Sequence, residues 1–298
     1  MASTTSRPQN VTGFFSDAWL GTRGVWLSAD STTVVGLTSV RLKRVFPLLC
    51  TPPWALHTGW TGSLQAQQDL RAQLVESTSM LGVVDLGPQA DPALEAPHGW
   101  QSVVRHTRQC ALSEDPADVL PKTRLKQARR FEREGGRTEV LSDAEPWDEV
   151  AALHVASRSR KGLPHHGDAL SDLLTRLAPC PWTFVVLAKN ERDEVVASGG
   201  FVVLPSGVCV YSFGGQRRSE SSGRASVAML MTGMRQAFAM GCHTFDFGGS
   251  QDDGVDRFYA EFGATPVKMT RWVHAPRWFR WAFPKLWTSW TSPSRHFD

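Results

Sequence analysis

The sequence predicts a mixed α/β fold with enough residues for two domains. Its 298 residues, 41% of them hydrophobic and 20% charged, suffice for one large core or for two cores of roughly 150 residues each. Three strand-like runs between Trp182 and Phe213, joined by a charged turn and a Pro-Ser-Gly turn, predict an antiparallel meander. A helical pattern and further strand patterns follow it, so we expect a mixed sheet rather than a doubly wound parallel one.

In the first half, an apolar stretch around Phe14 and Trp19 precedes five predicted elements. Strands are expected over residues 33–42, 80–86 and 103–112, and helices over 64–80 and 121–136. The last helix has Pro121 at its start and Gly135-Gly136 past its end, which is the order that helix termini prefer. We take this double glycine as a candidate domain boundary.

The second half has a clearer order of elements. Helices are expected over residues 145–159 (capped by Asp143), 169–177, 227–238 and 256–262, and strands over 182–188, 195–204, 208–213, 245–247 and 267–273. The central helix has Val227, Leu230, Met231, Met234 and Phe238 on one face. We expect the last strand to close the sheet of this half.

Charge and cysteine usage exclude several classes of protein. The 32 Lys+Arg residues and 29 Asp+Glu residues leave a net charge of only +3. The five cysteines are widely spaced and no H-E-x-x-H motif occurs, so we expect no metal site and a reducing compartment. Residues 1–10 are polar and predict a disordered tail rather than a signal peptide, and eighteen apolar residues never run together. We therefore expect a cytoplasmic protein.

Three stretches of the chain carry recognisable motifs. Residues 245–263 contain D-F-G-G, then a loop, then G-V-D-R-F-Y-A-E-F-G, residues 125–135 form a basic helix ending in Gly135, and residues 14–19 read F-F-S-D-A-W. Together they resemble the GNAT acetyltransferase superfamily, in the tandem branch that includes the Fem-type peptidoglycan aminoacyltransferases. Tyr259 stands where the Fem-type signature usually has Lys.

The resemblance implies two GNAT-like lobes, each a mixed, mostly antiparallel sheet flanked by helices, with the C-terminal lobe better preserved. On this basis we expect a tail over 1–10, a degenerate lobe over 11–120, an interlobe helix over 121–137, a C-terminal acyltransferase lobe over 138–275 and a Trp-rich basic tail over 276–298.

The resemblance also implies an N- or O-acyltransferase that moves an acyl group from acyl-CoA to an amine or hydroxyl of a small or lipid-linked precursor of the cell envelope or of a polysaccharide. Two alternatives stay open. One is Fem-like transfer of an aminoacyl group from tRNA to a peptidoglycan precursor, and the other is a degenerate GNAT fold that only binds a ligand.

A loop before the central helix is similar to the pyrophosphate-binding loop of GNAT enzymes, Q/R-x-x-G-x-G/A. Free N–H groups at a helix start attract anions. The resemblance assigns acyl-CoA binding to Gln216, Arg217, Arg218, Gly223, Arg224 and Ala225. Glu220 replaces the usual Gln or Arg, so the alternative is that this loop is only a structural helix start.

Three residues are candidates for proton transfer. Tyr259 lies in F-Y-A-E-F-G, which is similar to the GNAT segment whose Tyr protonates the departing thiolate, and a phenol of pKa ~10 can serve a thiol of pKa ~8.5. Asp246 and His166 are candidate bases. His165 and Asp168 share the loop of His166 and are candidates for acceptor binding. The alternative interpretations are an interfacial Tyr259, an Asp246 that holds its own turn, and a solvated loop in which Asp168 caps a helix.

Two basic segments point to further partners. Residues 122–137 contain seven basic and two acidic residues, and Arg129 and Arg130 there are candidates for binding the phosphates of an acceptor, or of tRNA in the alternative function. We expect no other nucleic acid partner. Residues 276–290 are rich in Trp and Arg and contain no acid, which predicts either contact with the inner face of the membrane or packing of the tail onto the sheet.

Overall fold

The structure, a computed structural model, describes residues 11–30, 33–141, 147–162, 166–218, 222–249 and 253–292. The helices are α1 (Asp17–Leu20), α2 (Leu64–Ser77), α3 (Lys122–Arg133), α4 (Trp147–Arg160), α5 (Gly167–Leu177), α6 (Ser222–Ala239), α7 (Asp253–Ala260), α8 (Arg277–Ala282) and α9 (Pro284–Thr291). The strands are β1 (Gly24–Ser28), β2 (Val34–Leu42), β3 (Phe46–Cys50), β4 (Leu81–Leu86), β5 (Gln101–Ala111), β6 (Arg137–Leu141), β7 (Thr183–Lys189), β8 (Val195–Val203), β9 (Val208–Gln216), β10 (Thr244–Asp246) and β11 (Thr265–His274).

The chain folds into two compact units. The first contains residues 1–107 and 266–298, and the second contains residues 108–265. The limits fall inside β5 and β11. These units are defined by spatial compactness, and the lobe limits expected from the sequence stay a prediction.

The first unit is built on strands in the order β1-β2-β3-β4-β11. Only β3 and β4 are parallel, and every other neighbouring pair is antiparallel. One face of this sheet packs on α2 through Leu70, Leu74 and Trp272, all with no exposed surface. The other face is covered by Phe279 of α8 and by side chains of α9. The tail therefore packs onto the sheet, and the helix breaks at Phe283, next to Pro284, as the proline predicts.

The second unit has the strand order β5-β10-β9-β8-β7-β6. The meander β7-β8-β9 is antiparallel as expected, while β10 runs parallel to β9. Helix α6 lies across the meander with Met229, Leu230 and Met234 buried in the core. The mixed, mostly antiparallel α/β fold class is confirmed.

The two units repeat one pattern. Each has an antiparallel meander (β1-β2-β3 or β7-β8-β9), then a helix (α2 or α6), then a strand parallel to the last strand of the meander (β4 or β10). The parallel strands lead into similar sequences, Val84-Asp85-Leu86-Gly87 and Phe245-Asp246-Phe247-Gly248.

The strand after each repeat is exchanged. β5 follows β4 in the chain but pairs with β10, and β11 follows β10 but pairs with β4. The expectation that the strand over 267–273 closes the sheet of the second half is therefore wrong, because β5 occupies that place. Sequence reasoning favours pairing of consecutive strands, and this exchange is a long-range exception.

Candidate functional site

The site begins where the parallel strands β9 and β10 separate. Their pairing covers only Val208–Val210 of β9 and Thr244–Asp246 of β10. β9 then continues to Gln216, paired only with β8 among the described strands. A bulge lies at this point, because Phe213 pairs with Gly200 and Tyr211 with Phe201, which leaves Ser212 without a partner residue. Bulges of this kind redirect side chains and are common next to active sites.

The chain turns away from β9 at two glycines after β10. Gly248 and Gly249 have φ values of 82° and 68°, which L side chains rarely adopt. A Cβ on Gly248 would lie 2.6 Å from the Tyr211 carbonyl oxygen, so the glycine also permits close approach of the two backbones. The D-F-G-G motif is thus explained by the geometry of the turn.

Asp246 holds this turn from inside the protein. It has no exposed surface, and its two carboxylate oxygens accept hydrogen bonds from the Gly248 N–H and the Gln109 amide, each 2.8 Å long. The predicted role of Asp246 as a base stays untested, but these contacts are those of a carboxylate that positions the β10–α7 connection.

Helix α7 places Tyr259 beside the turn. A bidentate ion pair of Arg108 with Asp256, at 2.6 and 2.7 Å, fixes the start of the helix, and Arg124 pairs with Glu261 after its end. Tyr259 is nearly buried, and its ring centroid lies 4.9 Å from that of Phe247, two residues beyond Phe245 in the same aromatic core. The phenol is therefore adjacent to the separation of β9 and β10.

The far end of β9 meets the start of α6. Gln216 accepts a hydrogen bond from the Ser226 hydroxyl at 2.5 Å through Oε1, and its carbonyl oxygen accepts one from Arg160 at 2.7 Å. Gly223 lies in the first turn of α6, and a Cβ there would meet nothing within 4 Å. Ala225 is fully buried under this turn. The predicted loop residues Gln216, Gly223 and Ala225 are thus brought together.

The cations at this helix start are held by carboxylates. Arg217 lies 3.2 Å from Glu149, and Arg224 donates to Glu134 at 2.7 and 3.1 Å. Glu134 also accepts from Arg130 at 2.8 Å, and the hydrogen bond from Arg130 lowers the pKa of this carboxyl. Arg224, which was predicted to bind phosphate, and Arg130, which was predicted to bind the acceptor substrate, therefore both bond to Glu134. Arg218 is exposed.

Helix α4 covers the edge of β9 with residues that sequence reasoning missed. His154 contacts both backbone groups of Gly214 through Nδ1, at 3.3 and 3.4 Å, and the Ser157 hydroxyl accepts from the Gln216 N–H at 3.2 Å. The glycines permit this, since a Cβ on Gly215 would lie 2.2 Å from the Leu153 carbonyl oxygen. Two features of the sequence could have indicated this packing of α4 on β9: the i, i+3, i+6 spacing of His154, Ser157 and Arg160, and the Gly-Gly pair in β9.

His154 is kept neutral by its environment. Burial, and next the charge of Arg158, lower the pKa of its imidazole from 6.5 to about 4. Its Nε2 is buried, as is the hydroxyl of Ser212, and neither atom has a hydrogen-bond partner among the residues that the structure describes. Buried polar atoms are seldom left unpaired, so these two atoms have capacity for a ligand, as do Ser198 Oγ and Trp147 Nε1 near β9, which are buried and unpaired within the same described residues.

The other predicted site residues lie elsewhere or cannot be placed. His166 precedes α5 with φ 44°, is exposed and makes no side-chain cap, and Asp168 is exposed in the first turn of α5. Neither forms a described hydrogen bond to β9 or β10. His165 and Glu220 lie outside the described residues. Arg129 lies on the exposed face of α3, where Lys126, Arg129, Glu132 and Arg133 line an open depression of about 650 Å³.

Within the described ranges, no three His, Cys, Asp or Glu side chains cluster in a way that could hold a metal ion. No helix in those ranges is long and apolar enough to cross a bilayer.

Residues 122–258 match the family model described as an acetyltransferase (GNAT) domain. This segment runs from the start of α3 into α7 and contains β9, β10, α6 and His154, but it ends one residue before Tyr259. No curated protein sequence matches the chain.

Several solved structures have a similar fold. The crystal structure of FemX has a TM-score of 0.63 at 12% identity, over 83% of this chain and 87% of that chain. L-PGS from Bacillus licheniformis gives 0.60 at 13%, over 90% and 89%, and the C-terminal domain (DUF2156) of a putative lysylphosphatidylglycerol synthetase from Agrobacterium fabrum gives 0.58 at 12%, over 91% and 90%. The resemblance expected from the sequence is confirmed for the fold.

Proposed function

We propose, from the premise that residues 122–258 form a GNAT acetyltransferase domain, that the protein transfers an acyl group from acyl-CoA to an amine or hydroxyl of a cell-envelope or polysaccharide precursor. The observation that carries the proposal is that β9 and β10 stop pairing after Val210 and Asp246, and that β9 then leads to the start of α6, where arginines lie. The thioester of acyl-CoA can lie where the two strands separate, with the phosphates of the CoA at the start of α6.

The helix start of α6 offers the phosphates two kinds of contact. Its first N–H groups have no partner within the helix, and they carry the positive end of the helix dipole. Arg160 and Arg217 stand at the end of β9 beside it, and both are exposed. Arg224 forms two hydrogen bonds to Glu134, at 2.7 and 3.1 Å, whereas Arg217 has a single longer contact with Glu149, at 3.2 Å. We therefore assign Arg224 to positioning α3 against α6, and phosphate binding mainly to Arg160, Arg217 and the helix N–H groups.

His154 is our candidate for the base. When its Nδ1–H is donated to the Gly214 carbonyl oxygen, Nε2 is left with a lone pair. The acceptor nitrogen or oxygen attacks the thioester carbonyl carbon and gives its proton to Nε2. The C–S bond then breaks, and the thiolate takes a proton from the Tyr259 hydroxyl, as the resemblance implies. The new bond is an amide or an ester.

A second function, transfer of an aminoacyl group from tRNA, is favoured by one observation. The Gln216 N–H is bonded to Ser157, and in the tautomer of His154 that leaves Nδ1 unprotonated the Gly214 N–H is bonded to Nδ1; an extended pantetheine chain would need both N–H groups for pairing with β9. Helix α3 also presents Lys126, Arg129 and Arg133 to solvent. The FemX and L-PGS folds are compatible with this alternative.

Calorimetric titration with acetyl-CoA and, separately, with aminoacyl-tRNA tests the proposal. We expect acetyl-CoA to bind the wild type and to bind the Arg160→Ala/Arg217→Ala variant at least roughly tenfold more weakly, because two phosphate contacts are lost. Arg192→Ala, an exposed cation on the β7–β8 turn of the same unit, is the matched control and should bind normally. Binding of tRNA alone would support the second function, and binding of neither would indicate a degenerate binding module.

A further inference from the structure

A second surface, outside the site and within the first unit, joins the β2–β3 turn to helix α8. Phe46, which follows the turn Lys43–Val45, lies against α8, and its ring centroid is 5.7 Å from Trp278 and 5.6 Å from both Phe279 and Phe283. The Lys43 ammonium lies 4.3 Å above the Phe283 ring. We call residues 41–46 with 277–285 the hairpin–tail surface.

This surface exposes large apolar side chains on a firmly packed base. Trp281 is 86% exposed, Val45 61% and Trp278 49%. Between them, Phe279 has no exposed surface, and its ring stacks on Trp290 of α9 at 5.8 Å. The exposed tryptophans are therefore not part of a loosely attached tail, and an apolar partner would find them already positioned.

The charge of the hairpin–tail surface has one sign. Its exposed cations are Arg41, Lys43, Arg44, Arg277 and Lys285. None of them forms an ion pair with a carboxylate of the described residues. The sequence contributes no acid to the surface, since residues 31–68 and 262–297 contain neither Asp nor Glu.

We propose that the hairpin–tail surface docks the protein on an anionic lipid bilayer. Tryptophan prefers the boundary between lipid headgroups and acyl chains, and cations within reach of the headgroups are attracted by the negative surface potential. The tip of the hairpin adds three cations and Val45 to the residues of α8, so the docking surface consists of two elements distant in sequence. This proposal goes beyond the proposed function and does not depend on it.

Co-sedimentation of the full chain with vesicles tests the proposal. We expect binding to vesicles of phosphatidylcholine mixed with phosphatidylglycerol, weak binding to phosphatidylcholine alone, and loss of binding at high salt. Lys43→Ala/Arg44→Ala should weaken binding about fivefold for each cation removed. Trp278→Ala/Trp281→Ala should weaken it roughly tenfold or more, because the apolar anchor is lost.

Two further variants keep the result interpretable. Lys122→Ala/Lys126→Ala removes the same charge from the exposed face of α3 and should bind vesicles normally. Trp281→Phe keeps an apolar side chain, so it should still sediment with vesicles but should show less quenching of tryptophan fluorescence by brominated lipid. Trp281→Ala alone serves if the double variant fails to fold, as judged by its thermal unfolding.

The proposal is overturned if the wild type does not bind the anionic vesicles. It is also overturned if the hairpin and tryptophan variants bind them as well as the wild type does. A third result would assign the surface to nucleic acid instead: tRNA binding that is weakened by Lys43→Ala/Arg44→Ala while vesicle binding is unchanged.

Discussion

The two units contain the same arrangement of a meander, a helix and a parallel strand, but the openings between their parallel strands differ. In the first unit, the chain after β3 returns to β4: Thr51 and Thr58 donate to the carbonyl oxygens of Val83 and Asp85 through their N–H groups, at 2.9 and 2.8 Å. The Thr51 hydroxyl also accepts from the Asp85 N–H at 2.7 Å. In the second unit, β10 pairs with β9 only through Thr244–Asp246, and the edge of β9 beyond this pairing is contacted by His154 and Ser157 of α4.

The helices that follow the two meanders, α2 and α6, also begin differently. α2 begins with a side-chain cap from Ser63 to the Ala66 N–H and has no charged residue in its first turn. α6 has Gly223 and Arg224 in its first turn, with Gln216, Arg160 and Arg217 beside it. In the first unit, the chain after β3 therefore pairs with β4, whereas in the second unit β9 and β10 separate, which is where we propose that the ligand binds.

The largest expected effect on stability concerns Asp85 and Asp246, which occupy corresponding positions in the two units. Asp85 forms a bidentate ion pair with Arg271, at 2.7 and 2.8 Å, so Asp85→Ala leaves a largely buried guanidinium unpaired and should lower the free energy of unfolding by about 3 kcal/mol. Asp246→Ala should lower it by about 2 kcal/mol, because the Gln109 amide and Gly248 N–H lose their acceptor. Urea unfolding measures both.

Asp246→Asn is the matched control, since its amide oxygen can still accept from Gly248. We expect it to lose about 1 kcal/mol and to keep its affinity for acetyl-CoA. An Asp246→Ala protein as stable as the wild type would contradict the positioning role and would favour Asp246 as a base.

The next prediction concerns the buried histidine of each unit and its effect on how stability depends on pH. Burial lowers the pKa of His57 in the first unit and of His154 in the second to about 4. Each side chain takes up its proton at pH 6.5 when unfolded but only near pH 4 when folded, so its stabilisation is complete above pH 6.5 and is lost as the pH falls towards 4.

His154→Gln and His57→Gln should each remove about 2–3 kcal/mol of the loss in stability between pH 7 and pH 4. Urea unfolding at several pH values checks this. Only His154→Gln should also slow acyl transfer at pH 7. Equal loss of transfer in His57→Gln would contradict the assignment of the site to the second unit.

The smallest expected effects on stability concern the starts of α6 and α2. Gly223→Ala should change the free energy of unfolding by less than about 1 kcal/mol, because a Cβ there meets nothing within 4 Å. It should nevertheless weaken acetyl-CoA binding about tenfold if phosphates approach this backbone closely. Ser63→Ala should cost about 1 kcal/mol through loss of the cap and leave acetyl-CoA binding unchanged.

The sequence predicts those parts of the molecule that depend on local patterns. The turns of the meander and the break at Pro284 are set by residues within a few positions of one another, and each is observed. The apolar face of α6 is observed for Val227, Leu230, Met231 and Met234, but Phe238, which was predicted on the same face, is 38% exposed. The exchange of β5 and β11 depends on pairing between distant strands, which periodicity does not encode. His154 was missed because a single histidine on a helix is informative only once Gly214-Gly215 are known to pack against it.

The strand exchange also affects how the protein is made. The second unit is one continuous segment, residues 108–265, and it is synthesised before the residues of β11 that pair with β4, Thr270–His274. The first unit begins earlier in the chain but lacks the neighbour of β4 until β11 emerges. The middle of the chain can therefore fold while its amino-terminal half waits with one edge of β4 uncovered. For the same reason, a chain that stops before β11 would leave β4 of the first unit without one of its neighbouring strands.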